Sequence, residues 1–261
     1  MHPNLFELPI FGGTAVHTYG VLLAGGFLAA VGFCVHQARR YGENPQRILD
    51  LCFYILIAAI VGSRLYFVAL EWPYFSQHPT AMFNLASGGL VFYGGAIGGT
   101  LTAMYLMWKW KLPFWRTCDL MAPAVPIGIF FGRLGCFAAG CCYGRETHAP
   151  WAAVFRDPAT LAPRDIPIHP TQLYAGLDAV ILFVALVLLQ RVKRFDGQVF
   201  SALLIGYAVL RYLVEEPFRS DARGAVVDGV SVSVATGVPV LLAGLGLMVF
   251  LGWRARSARP A

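Results

Sequence analysis

Three arginines stand inside apolar stretches of the chain: Arg64, Arg133 and Arg211. A charge placed in a bilayer is costly, so an intramembrane arginine marks a functional site by default. Guanidinium presents planar, permanently charged donors, and phosphate oxygens match them well. The anion a membrane itself supplies is a lipid phosphate. Further polar groups come early in other apolar stretches: Tyr19, Tyr93, His169, Gln172 and Tyr174. Asp178 lies deeper and needs a partner that the sequence does not identify. Two plainer readings compete. A lone arginine near a helix end can simply reach for headgroups, and Arg211 can pair with Glu215 four residues on.

Helices must hold these residues. Of 261 residues, 57% are hydrophobic and 13% charged, where a soluble domain carries about 25% charged residues. Apolar stretches of about 20 residues recur along the chain, the length a membrane-spanning helix needs. The expected fold is all-α: one polytopic membrane domain over residues 1–261, with no separate soluble domain. The spans fall at 16–36, 48–70, 88–108, 117–137, 171–190, 198–216 and 230–253. No Lys or Arg precedes the first span and no small-residue cleavage site follows it, so it reads as a retained helix.

Charge orients the spans. Arg39, Arg40 and Arg47 follow the first, Lys109, Lys111 and Arg116 the third, and Arg191, Lys193 and Arg194 the fifth. Arg254, Arg256 and Arg259 form the tail. The positive-inside rule puts these on the cytoplasmic side, with the N-terminus outside. Topology therefore accounts for the net charge of +6, and nucleic acid is excluded as a partner. The three arginines then lie roughly 6–9 Å below the outer ends of their helices, at 1.5 Å per residue. The early polar residues of the inward-running spans share that outer layer.

Glycines lower the barrier to close approach. Gly88 and Gly89 precede Phe92-Tyr93 and Gly94 and Gly95 follow it, which would set Tyr93 in a broken helix start. Gly128, Gly132, Gly135 and Gly140 punctuate the fourth span and its exit, where helix packing is the plain role. Cys34, Cys52 and Cys118 read as small core residues. Cys136, Cys141 and Cys142 cluster on the outer side, where oxidation is possible. Their spacing is no familiar zinc or redox motif, and a Cys136–Cys141 disulfide is the favoured reading. No metal cluster is apparent, and no cofactor is expected. Residues 143–168 form an outer loop, expected to be a small cap that receives an acceptor peptide. Arg145, Arg156 and Arg164 there are balanced by Glu146, Asp157 and Asp165.

The block Gly132-Arg133-Leu134-Gly135-Cys136-Phe137-Ala138-Ala139-Gly140-Cys141-Cys142-Tyr143-Gly144 resembles the signature of the phosphatidylglycerol–prolipoprotein diacylglyceryl transferases. So do Ser87-Gly88-Gly89-Leu90-Val91-Phe92-Tyr93-Gly94-Gly95, His169-Pro170-Thr171-Gln172-Leu173-Tyr174, and Gly206-Tyr207 with Arg211 and Glu215. The blocks keep their order from Tyr19-Gly20 to the last span. The resemblance implies transfer of a diacylglyceryl group from phosphatidylglycerol to the lipobox cysteine of a prolipoprotein signal peptide, releasing glycerol phosphate. It implies a bacterial inner-membrane enzyme working among membrane lipids, its active site facing the outer leaflet. By the same resemblance Arg133 binds the lipid phosphate and Arg211 assists the phosphate or the leaving group. Tyr19, Arg64, Tyr207 and Glu215 shape the site, and Gly94, Gly95, Gln172 and Tyr174 contact substrate.

The chemistry agrees with these residue types. A thiol displaces a phosphate ester at carbon, so charge grows on the leaving group, where arginine helps most in a dry site. The nucleophile belongs to the substrate and must become a thiolate. The chain departs from the family pattern in places. Well-studied members carry histidine at the position of Tyr93, Asn at those of Cys136 and Ala139, and Glu at those of Cys141 and Ala175. Free tyrosine has a pKa near 10, so Tyr93 is assigned a hydrogen bond to substrate, and His169 or an incoming water takes the proton. Three rivals stay open: a paralogue with another donor or acceptor, a lipid transporter using the arginine cavity, and a thiol oxidoreductase built on the outer cysteines.

Overall fold

The computed structural model describes residues 4–8, 14–84, 88–220, 225–227 and 230–257. Strands β1 (Asn4–Leu8) and β2 (Thr14–His17) pair antiparallel before the first helix. Helices α1 (Thr18–Arg40) and α2 (Pro45–Leu70) follow, then the single turn α3 (Trp72–Phe75) and a 3-10 turn at Pro79–Phe83. Next come α4 (Phe92–Lys109), α5 (Phe114–Met121) and α6 (Ala124–Ala139). The short strands β3 (Ala153–Val154) and β4 (Pro167–Ile168) lead into α7 (Thr171–Val192) and α8 (Gln198–Phe218). Strands β5 (Ala225–Val227) and β6 (Val230–Ser231) precede α9 (Val232–Ser257).

Among the described residues, five helical stretches are long and apolar enough to cross a membrane: Thr18–Arg40, Pro45–Leu70, Phe114–Ala139, Thr171–Val192 and Val234–Ser257. Gln198–Val214 is apolar but shorter. The protein is thus an all-α, multi-pass membrane protein. Local sequence explains where helices start and stop. Asn44 caps α2, its side chain accepting from the backbone N–H of Gln46 and Arg47, with Pro45 in the first turn, where its missing N–H does no harm. The third expected span begins at Phe92, later than the sequence suggests, because Gly88 and Gly89 both take left-handed conformations, at φ 80° and 79°. The helix is continuous once begun, so the break lies before Tyr93 and not around it.

The chain forms two compact units, residues 34–117 and residues 1–33 with 118–261. In the first, α2 packs along α4. A Cβ on Gly94 would collide with the Gly62 carbonyl and Tyr66, and one on Gly95 would meet the Ser63 hydroxyl at 2.5 Å. Gly94 and Gly95 are therefore helix-packing residues. Small residues of this kind let membrane helices approach closely.

In the second unit α6 packs on α7, α7 on α8, and α8 on α9. Ala122, Leu182, Leu186, Val199 and Leu203 form a buried core there. Beside it sits Asp119, 1% exposed. Its carboxylate accepts from Lys193 Nζ and from the backbone N–H of Gly197 and Phe200, each at 2.9 Å. It ties the α7–α8 turn to α5. Residues 143–168 fold over a small cluster of their own, Phe155, Ala162 and Ile168, with Phe137 and Tyr143 against it. Leu161 N–H donates to the Ala139 carbonyl at 3.1 Å and pins this cap to the end of α6. Arg145, Arg156 and Arg164 are exposed, as the charge balance suggested.

Candidate active site

In the larger unit, α6, α7 and α8 line an open cleft. Four polar side chains enter it, Arg133, Asp178, Tyr207 and Arg211, against an apolar wall that includes Ile129, Leu182 and Val214. Arg211 Nη1 donates to Tyr207 Oη at 2.7 Å, and its guanidinium lies 5.8 Å from that ring's centroid. One turn of α8 separates the two, so the tyrosine holds the arginine in position. The side chain of Glu215, expected to pair with Arg211, lies outside the described residues, as does Ser87. Asp178 Oδ2 is buried and has no hydrogen-bond partner among the described residues. Arg133 lines the same cleft.

The end of α6 builds a second feature. Gly140, at φ 75°, stops the helix. Cys141 N–H donates to the Cys136 carbonyl at 3.1 Å and Gly140 N–H to the Phe137 carbonyl at 3.3 Å. This pair of bonds across a left-handed glycine brings the two flanking side chains together, here Cys136 and Cys141. Cys142 is itself left-handed, at φ 62°. The three Sγ atoms all lie within 4.8 Å of one another. All six cysteines are thiols, so the expected Cys136–Cys141 disulfide is corrected to a three-thiol cluster. Hydrogen bonds from the Cys136 and Cys141 thiols pull Cys142 below the ordinary thiol range, helped by Arg219 and Arg133, while Cys141 is pushed up because it supplies a proton to its neighbours. Tyr19 packs on Gly135, where an added Cβ would sit 2.8 Å from the ring.

The block from His169 to Tyr174 braces this loop. Thr171 Oγ1 donates to the Cys142 carbonyl at 2.7 Å and Gln172 Nε2 to the Cys141 carbonyl at 2.8 Å. Gln172 is fully buried, and its Oε1 has no partner among the described residues. His169 is more than a residue before a proline. Its Nδ1 lies 3.0 Å from Tyr174 Oη, which accepts from Trp151 Nε1 at 2.7 Å. The ring also packs at 5.1 Å from that of Phe218. Trp151 and Phe218 escape sequence reasoning, since an aromatic in a loop or at a helix end carries no spacing signal.

The smaller unit treats its arginine differently. Arg64 is 6% exposed. Its five N–H groups all find backbone carbonyls: Nε that of Met82, Nη1 those of Gly88 and Gly89, and Nη2 those of Ala81 and Asn84, at 2.6 to 3.3 Å. Phe67 and Phe75 flank the guanidinium at 5.6 and 5.4 Å. Arg64 therefore organises the 81–89 loop. The donors of Arg64 are thus already satisfied within its own unit. Tyr93 is exposed at the start of α4, its ring 6.0 Å from that of Phe92.

A family model described as prolipoprotein diacylglyceryl transferase matches residues 3–250. Proteins named phosphatidylglycerol–prolipoprotein diacylglyceryl transferase are similar along the chain. That of Burkholderia lata is 34% identical over 100% of this chain and 99% of its own length. That of Bordetella parapertussis is 34% identical over 95% and 94%, and that of Shewanella oneidensis 35% over 92% and 91%.

Proposed function

The chain belongs to the prolipoprotein diacylglyceryl transferase family, and on that premise we propose which residues carry the reaction and where it takes place. The enzyme transfers a diacylglyceryl group from phosphatidylglycerol to a prolipoprotein. The acceptor is the lipobox cysteine thiol of the signal peptide, and the product released is glycerol phosphate. Sulfur attacks the glycerol carbon of the diacylglyceryl group, an S–C bond forms, and the C–O bond to phosphate breaks with its electron pair leaving on oxygen.

The cleft shared by Arg133, Asp178, Tyr207 and Arg211 is the observation that carries this assignment. Arg133 binds the lipid phosphate. Arg211, steadied by Tyr207, meets the charge that develops on the leaving oxygen. Apolar walls keep the site dry, which strengthens both contacts. Asp178 holds Arg133 in place until substrate arrives. Tyr19 borders this site, and Glu215, one turn beyond Arg211, shapes it. His169 or an incoming water takes the thiol's proton. In this reading Tyr174 Oη accepts from Trp151 Nε1 and from His169 Nδ1–H, which leaves Nε2 unprotonated and able to take the proton. Gln172 and Tyr174 support the loop that meets the peptide, Tyr93 gives a hydrogen bond to substrate, and Arg64 acts through the loop it holds.

The same reading sets the topology. Seven spans run from an outer N-terminus to a cytoplasmic C-terminus in the bacterial inner membrane, supported by the basic residues between alternate helices. The chain works as one transferase domain facing the outer leaflet, and the 143–168 cap receives the peptide. The test uses protein in detergent with phosphatidylglycerol and a peptide bearing a lipobox cysteine. A diacylglyceryl mass shift and equimolar glycerol phosphate are expected, and neither with a Cys→Ser peptide. Glycerol phosphate released without lipidated peptide would contradict the assignment.

A further inference from the structure

We propose that Cys136, Cys141 and Cys142 hold a zinc ion whose fourth position takes the thiol of the incoming lipobox cysteine. This rests on the transferase reading and adds a metal to it.

The geometry is close to what zinc needs. Zinc–thiolate bonds of about 2.3 Å put the sulfurs of a tetrahedral site about 3.8 Å apart. The three Sγ atoms lie within 4.8 Å of one another, so small rotations of the side chains complete the set. The backbone that carries them is fixed beforehand. Two hydrogen bonds across Gly140 bring Cys141 to Cys136, and Thr171 and Gln172 hold the carbonyls of Cys142 and Cys141. Such outer contacts orient metal ligands. Cys142 keeps a left-handed φ of 62°, a region a residue with a Cβ seldom enters without cause.

A disulfide uses this arrangement poorly. Cys141 and Cys142 are adjacent, and neighbouring Cα atoms about 3.8 Å apart fall short of the separation a disulfide spans. Pairing Cys136 with either leaves one thiol over, whereas a metal uses all three. Charge also fits. Three thiolates and Zn²⁺ carry a net −1, and Arg133 and Arg219 are the cations acting on Cys142.

Three protein ligands with an open position form the catalytic and not the structural arrangement of zinc. A thiol that coordinates there loses its proton, here to water. The bound sulfur stays nucleophilic, attacks the glycerol carbon, and leaves the metal as a thioether. Zinc remains Zn²⁺ throughout. Arg133, which acts on both Cys136 and Cys142, would hold the leaving phosphate beside the nucleophile.

The test strips the full-length protein with a chelator and reloads it with Co²⁺ as a spectroscopic probe. One cobalt per chain is expected, with thiolate-to-metal charge-transfer absorption and tetrahedral ligand-field bands. Lipobox peptide should shift those bands, and the Cys→Ser peptide should not. Cys142→Ser should weaken cobalt binding at least about tenfold, whereas Cys52→Ser, at a thiol outside the cluster, should keep the spectrum. Since cluster variants can misfold, the wild-type stoichiometry and peptide response decide. No cobalt uptake, uptake without charge-transfer absorption, or full transfer by metal-free enzyme would each overturn the proposal, and the last would leave the transferase reading standing. A peptide-responsive cobalt site in protein that transfers no lipid would uphold the site and sink the transferase reading.

Discussion

In the 34–117 unit the Arg64 guanidinium is enclosed by carbonyls of residues 81–89. In the larger unit Arg133 and Arg211 open onto a cleft with a carboxylate and a phenol. Both settings begin from an arginine near the end of an apolar helix. They differ in what meets the donors. Five carbonyls satisfy a guanidinium fully and fix a loop. In the cleft the Tyr207 hydroxyl takes one donor of Arg211, and Arg133 and Asp178 line the same wall. Arginine in a membrane helix thus has at least two uses, and the acceptors around it separate them.

The largest effect that tests this contrast is on turnover. Arg133→Ala should lower diacylglyceryl transfer by about a hundredfold to a thousandfold, the range for removing one preorganised donor, with helical content unchanged by circular dichroism. Arg133→Lys should recover little, because an ammonium cannot make the two-pronged contact. Arg64→Ala should act on folding instead. It takes the shared donor from five carbonyls, and a loss of about 1–3 kcal/mol is expected, read as a lower melting midpoint in detergent. Equal turnover losses for the two alanine variants, at equal folded fraction, would erase the distinction.

Asp119 sharpens it as a buried charge with a purely structural setting. Asp119→Ala should cost about 3 kcal/mol, since it leaves two backbone donors unpaired and Lys193 with Asp196 alone. A pH signature accompanies this. Burial alone would lower the Lys193 ammonium, but hydrogen bonds to Asp196 and Asp119 outweigh it and raise it. A raised folded-state value means that the stabilisation is complete below the ordinary lysine value of about 10.4 and is lost as pH rises through the folded one. The melting midpoint should therefore fall above that pH, less steeply in Asp119→Ala. The smallest expected effects come from glycines. Gly94→Ala should destabilise by about 1–3 kcal/mol through overpacking. Gly128→Ala, with nothing within 4 Å of its added Cβ, should stay within about 0.5 kcal/mol.

Helix positions were legible because apolar run length is a strong signal, and the expected stretch 48–70 matches Pro45–Leu70 closely. The cleft was legible in part. Arg133, Arg211 and Tyr207 could be picked from type and spacing, but that they share a cleft with Asp178 depends on how α6, α7 and α8 pack, which no local pattern encodes. Arg64 misled because its carbonyl acceptors carry no side-chain signature. The grouping of Cys136, Cys141 and Cys142 was legible from their positions, and what the sequence did not show is that all three thiols meet at the left-handed turn of Gly140. Asp119 drew no reading from the sequence, and its role follows from the amides of Gly197 and Phe200 at the start of α8.

The most direct measurement compares Arg133→Lys with Arg64→Lys in one transfer assay, each rate divided by the folded fraction. The account predicts that Arg133→Lys falls at least about a hundredfold per folded molecule, and that Arg64→Lys falls far less and loses mainly folded protein. A rate per folded molecule that collapses for Arg64→Lys and survives in Arg133→Lys would contradict it.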